Sequence, residues 1–194
     1  MEKEPLAHYI EAIRPIGGET LTRVLTEFTA CHYRKHMCLL QTGGTNNEYL
    51  FLTKGVIRAF THNREGDEVT TGLYGPNSMV IEVASFFTRT PSLETLQTLT
   101  DCEGYSISFE QVNRLFHTIP DFREFGRAML VKEFAAFKQR TLSMITQTAE
   151  ERYVALMTGS PELIQHVPVK HIASYLGVTD TSLSRIRREL TKKS

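Results

Sequence analysis

Between Thr181 and Lys192 the chain carries hydroxyl and guanidinium groups at helical spacing. At about 100° per residue, Thr181, Arg185, Arg188 and Lys192 share one side of a helix, with Ser182 at its flank. Leu183, Ile186 and Leu190 form the opposite stripe. Hydroxyls near a helix start, with a guanidinium one turn on, suit base edges in a major groove. Basic groups further along suit phosphates. The plain alternative is a solvated Arg-rich helix, or a helix pair used only for protein contact.

The residues just upstream supply what such a helix needs to be held. Two short helices crossing steeply require a small residue at their contact and a turn residue that accepts positive φ. Ala173 and Gly177 stand at those places, and Ile172, Leu176, Val178, Leu183, Ile186 and Leu190 offer a buried face. Thr179 and Asp180 are good caps for the second helix, and Asp180 favours the positive end of its dipole. The stretch 168–194 therefore reads as a helix-turn-helix, with double-stranded DNA as the expected partner.

Charge is distributed to match. The chain has 22 basic and 22 acidic residues. Six basic side chains against Asp180 and Glu189 fall in 168–194, leaving 16 basic and 20 acidic residues in the rest. A basic end on an acidic body gives a local attraction for phosphate without making the whole protein adhesive.

At 194 residues and 41% hydrophobic content, the chain can hold one ordinary domain plus a small appendage. The start, Met1-Glu-Lys-Glu-Pro5, lacks a signal-peptide profile, and no run approaches a membrane span. Three cysteines at irregular spacing do not form a disulfide framework. A cytoplasmic protein without membrane association is expected.

Residues 6–29 are helical in pattern, interrupted at Pro15-Ile-Gly-Gly18. From about 30 to 109, short β-prone segments such as Glu48–Thr53 and Val56–Thr61 are divided by turn signals at 43–47, 54–55, 63–67 and 75–77. That texture predicts an antiparallel sandwich or roll, closed by 93–109. A short helix over 109–116 follows, then a long one from Asp121 to about Gln147. Phe122, Phe125, Met129, Leu130, Phe134, Phe137, Leu142 and Ile145 are too many large apolar groups for one small roll, so pairing with a second copy is expected. A further helix over about 148–158, with Glu150, Glu151 and Arg152 outward, leads on to the terminal module. The reading is an α+β protein: an N-terminal antiparallel, jelly-roll-like β-roll flanked by helices (1–120), a connecting and dimerisation helix (121–147), and a small helix-turn-helix domain (148–194).

In this order the elements resemble the Crp/Fnr superfamily of bacterial transcription regulators. Ile172-Ala-Ser-Tyr-Leu-Gly-Val-Thr-Asp-Thr-Ser-Leu-Ser-Arg-Ile-Arg-Arg188 looks like the version common in Bacteroidetes, and Tyr49–Arg58 and Thr148–Arg152 support it. The resemblance implies a homodimer in which a sensory, cyclic-nucleotide-binding-like roll sets the orientation of two reading heads. It also implies an effector and contact with RNA polymerase. Its phosphate-binding pattern, a Gly-Glu pair and then an Arg followed by Ser or Thr and Ala, is broken here. Glu82 remains, but Ile81 replaces the Gly, Ser92 falls where the Arg belongs, and Arg89 is out of register. Without that charge-assisted partner, cyclic AMP is not expected to bind in the family mode. An unknown small neutral or apolar effector, near Glu82, Phe86 and Ser92, is expected instead, and no cofactor. Asp180, where the cyclic-AMP regulator has Arg, implies a different target sequence. The chain stops just after this helix, so the wing of many members is expected to be missing or minimal.

Cys31, Cys38 and Cys102 do not make the iron–sulfur pattern of the oxygen-sensing branch. His32, His36 and Cys38 could share a strand face as metal ligands, but read better as exposed polar residues. No His-x-His pair, Gly-rich phosphate loop, Gly-x-Ser-x-Gly elbow or Cys-x-x-Cys occurs, so an enzyme is not expected. The competing reading is a constitutive DNA-binding or scaffolding dimer whose roll has lost sensing.

Overall fold

The computed structural model of the protein describes residues 3–193. Two helices, α1 (Glu4–Ile13) and α2 (Gly18–Glu27), precede eight antiparallel strands. One sheet orders β1 (Thr29–Tyr33), β8 (Cys102–Ser108), β3 (Glu48–Lys54) and β6 (Ser78–Val80). The other orders β2 (Cys38–Leu40), β7 (Thr95–Thr98), β4 (Ile57–His62) and β5 (Glu68–Tyr74). A short α3 (Val83–Thr88) links β6 to β7, and α4 (Phe109–Thr118) leaves the roll through a Ser108/Gln111 capping box.

Strand β3 is buried on both faces, which explains its unbroken apolar run rather than an alternating one. Leu50 and Leu52 point between the sheets with Ile57, Ala59, Val80 and Leu96. Tyr49 and Phe51 point the other way, into a core shared with α1, α2, α4 and the first half of α5 (Pro120–Thr146). Gly126 is what lets α4 and α5 meet, since a Cβ there would come within 2.5 Å of the Phe116 ring. Pro120 is the first residue of α5, one position before the start expected at Asp121, and its missing N–H is harmless there.

Along α5 the environment changes halfway. Phe122, Phe125 and Met129 are buried on the roll, whereas Phe134, Phe137 and Ile145 are 70%, 64% and 76% exposed. Then come α6 (Ala149–Gly159), α7 (Pro161–His166), α8 (Val169–Tyr175) and α9 (Asp180–Lys193). Helix α7 is an element the sequence reading did not separate from the lead into the terminal module; Pro161 again sits at a helix start and Leu163 is buried. Among the described residues no helix is long and apolar enough to cross a membrane.

Candidate nucleic-acid interface and effector cleft

Helices α8 and α9 close on Ile172, Ala173, Leu176, Leu183 and Ile186, all buried. Ala173 is fully buried and its carbonyl accepts from Val178 N at 3.0 Å across the elbow. Gly177 makes the turn at φ +69°, a region that disfavours a side chain. Thr179 caps α9, its hydroxyl accepting from Ser182 N at 3.2 Å, with Asp180 in the first turn. The helix pair is therefore held by the residue types that the sequence places there.

The outward side of α9 carries Thr181, Arg185, Arg188 and Lys192, all exposed. Ser182 is half-buried, and its Oγ accepts from Thr179 Oγ1 at 3.0 Å, so this hydroxyl belongs to the cap as much as to the outer face. Ser184 is also exposed, and the helical wheel puts it closer to Arg188 than Ser182 is, while Ser182 stays closer to Arg185. The arrangement offers hydroxyls, then guanidinium groups, then an ammonium along one ridge.

Arg152 does not face outward. It is half-buried, and its guanidinium donates to the Gln147 carbonyl and, at 2.8 Å, to the Leu176 carbonyl at the elbow. The terminal module thus closes partly through a residue that reads as solvated, because a charge-rich Glu-Glu-Arg run hides one side chain that must reach a helix end.

The module is also docked on the roll. Val56 and Leu99 join the core of Tyr153, Leu163, Val167 and the helix pair. Arg58 on β4, 1% exposed, lies 3.9 Å over the Phe60 ring; it donates to Glu68 at 2.8 Å and meets His171 Nδ1 at 2.5 Å. Thr70 N donates to Ser174 Oγ at 2.9 Å. Arg140 of α5 donates to Thr71 O at 2.6 Å and Tyr175 O at 3.2 Å. Nothing in the sequence pairs residues that are 113 positions apart, so this contact was missed.

Burial lowers the His171 pKa to about 4, and Arg58 and Lys170 add to the shift, opposed by Glu68 and Asp180. His171 is thus neutral in the docked state and accepts from the guanidinium. With the folded pKa below the ordinary value, the docked state binds fewer protons, so stability is complete above about pH 6.5 and falls as pH drops toward 4. His171→Gln is expected to flatten that part of the Tm-versus-pH curve, measured by calorimetry. An unchanged slope would show that another group carries it.

The residues expected at an effector site separate. Glu82 lines a cleft of about 1030 Å³ between β5, α5 and the elbow, whereas Phe86 and Ser92 do not. Phe86 is fully buried among Tyr49, Phe87 and Phe109, at 5.6, 5.1 and 5.4 Å. Ser92, 2% exposed, pairs by its backbone with Gly43 and Gly44, and its hydroxyl closes a turn on Glu94. Both are corrections: an aromatic pair fills the core, and a short polar side chain folds back on its own loop. The Glu82 carboxylate accepts from Ala84 N at 3.2 Å and Ser85 N at 2.7 Å. Glu82 is thereby the N-cap of α3. Arg89 lies 4.2 Å over Phe109 and donates to Asn46 O and Asn47 Oδ1 at 2.8 and 2.5 Å.

His32 lies on β1 and Cys38 on β2, in different sheets, with His36 in the turn between them at φ +67°. They do not share a strand face. Among the described residues no three His, Cys, Asp or Glu side chains gather as a metal site needs.

An eight-stranded roll, joined by a long helix to a helix-turn-helix, makes a two-module protein. Residues 30–118 match the family model of the cyclic nucleotide-binding domain. The fumarate and nitrate reduction regulatory protein of Yersinia pestis is 24% identical over 173 residues, covering 83% of this chain and 68% of that protein. The c-di-GMP responsive global regulator CLP of Xanthomonas campestris superposes with a TM-score of 0.69 at 19% identity, over 91% of this chain and 93% of that one. FixK2 of Bradyrhizobium japonicum gives 0.72 at 16% identity, over 86% and 85%. At such identities the solved structures establish the shared fold. The match over 30–118 places a roll of the cyclic nucleotide-binding type in this chain, and the Fnr-type relative is similar to it over most of its length.

Proposed function

We propose that this protein is a homodimeric transcription regulator that reads palindromic duplex DNA with α9 and does not answer to cyclic AMP. The observation that carries the reading is the exposed ridge of Thr181, Arg185, Arg188 and Lys192 on a capped helix. Residues 1–120 serve as the sensor roll, 121–147 as the connecting and dimer helix, and 148–194 as the reading module. Its place of work is the cytoplasm, beside RNA polymerase, and it has no catalytic role.

The exposed Phe134, Phe137 and Ile145 favour a second copy against α5, since monomers rarely leave such a stripe in water. The effector half of the reading rests on Glu82, whose carboxylate is engaged as the cap of α3, and on Ser92, which brings no cation where the family pattern has Arg. The same cap favours a second reading, a constitutive DNA-binding or scaffolding dimer with a degenerate roll.

The experiment is a fluorescence-anisotropy titration of an in vitro selected operator, with and without millimolar cyclic AMP. Tight, salt-sensitive binding with superimposable curves is the expected result. A curve shifted tenfold by cyclic AMP would overturn the effector reading, and Ser92→Arg with Ile81→Gly should create that shift if the missing cradle is its cause.

A further inference from the structure

The end of α8 is held by guanidinium groups that come from outside the helix pair. The carbonyls of Ile172, Ala173 and Ser174 accept from the backbone amides of Leu176, Val178 and Gly177. The next two carbonyls are met by side chains. Tyr175 O accepts from Arg140 of α5 at 3.2 Å, and Leu176 O accepts from Arg152 of α6 at 2.8 Å. Cations at this end suit both the last carbonyls and the helix dipole.

Each arginine also grips a second place. Arg140 donates to Thr71 O on β5 at 2.6 Å and lies 4.1 Å over the Tyr175 ring, so it joins the roll, α5 and the elbow. Arg152 donates to the carbonyl of Gln147, the C-cap of α5, at 2.5 Å. Between them Met144 packs on the turn itself, since a Cβ at Gly177 would come within 2.6 Å of its Cε. The elbow is thus tied to the end of α5 through Arg140, Met144 and the Gln147 carbonyl, starting three residues beyond Phe137.

We propose that Arg140 and Arg152 are positioning residues that fix the angle of α9 on α5, and thereby the half-site spacing at which both heads bind. The inference deepens the dimeric DNA-reading function proposed above and rests on it. Neither guanidinium lies on the outward ridge of α9, so neither reads a base. In a two-fold dimer joined along α5, a swing of one head is repeated by the other, and the separation of the reading helices changes twice over. One base pair of spacer moves a half-site by about 3.4 Å and turns it by about 35°. A clamped head rejects that step, whereas a loose one follows it.

The test uses the full-length protein and duplexes that keep the selected half-sites while the spacer is shortened or lengthened by one base pair. The wild type should lose at least about tenfold in affinity at either step, because the second head no longer engages. Arg140→Gln with Arg152→Gln should reduce that penalty to about threefold or less, with single-base discrimination inside a half-site unchanged. Arg152→Lys is a milder variant that decides the matter if the double change does not fold. Arg152 Nε is buried with no hydrogen-bond partner among the described residues. A lysine removes that cost and replaces a two-pronged donor with a point charge, so the Tm should stay near the wild-type value while the spacer penalty falls. A purely structural role would lower the Tm and weaken every spacing alike; that result, or a wild type indifferent to spacer length, would overturn the proposal. A wild type that selects no duplex sequence at all defeats the regulator reading instead.

Discussion

Arg185→Ala is expected to weaken binding to a selected operator by roughly 1–3 kcal/mol and to erase discrimination at one base pair per half-site. Arg185 stands one turn into α9, exposed, between Thr181 and Arg188 on the outward ridge. A bidentate guanidinium at that depth meets a base edge, so its loss removes sequence information as well as affinity. That energy corresponds to a fall of about 5- to 150-fold. Lys192→Ala acts differently. It lies near the far end of α9, suits a phosphate, and should weaken all sequences alike while reducing the salt slope by about one unit. Competition titrations with single-base operator variants separate the two. If Arg185→Ala leaves both affinity and preference unchanged, α9 is not the reader.

Phe134→Glu with Phe137→Glu is expected to turn a dimer into a monomer and to reduce operator affinity by a factor on the order of 10²–10⁴. The two rings are 70% and 64% exposed in the single chain, on the half of α5 that the roll does not cover. Covering one Phe contributes about 1.5–3 kcal/mol, and a symmetric seam uses each ring twice. Glutamates there bring unpaired charge into the same place. Because the second head binds at the effective concentration set by the first, losing the seam loses that advantage even with both reading helices intact. Sedimentation should find the wild type dimeric and the variant monomeric at micromolar concentration. A variant that remains dimeric would move the seam elsewhere.

How far the chain can be read without its structure follows from the range of each signal. The roll was legible because turn residues such as Gly43, Gly55 and Gly66, all at positive φ, punctuate its strands. The helix pair was legible because Ala173, Gly177 and the 183, 186, 190 stripe lie within one short stretch. Strand β3 hid its double burial, since an apolar run does not say which two surfaces cover it. The docking of the head was not legible at all. It depends on Arg58 meeting His171 and on Thr70 meeting Ser174, pairs made by tertiary folding with no local pattern. The effector region failed for a related reason: residue types near Glu82 suggested a cluster, but backbone pairing took Ser92 away and the aromatic core took Phe86.

The central claim, a two-fold dimer reading DNA through paired copies of α9, is tested most directly by selection of the wild-type protein on a random duplex library, followed by footprinting of the enriched sites. The account predicts an inverted repeat with half-site centres about one helical turn, roughly 34–36 Å, apart, and protection on one face of the duplex. A library that shows no enrichment after selection would contradict it.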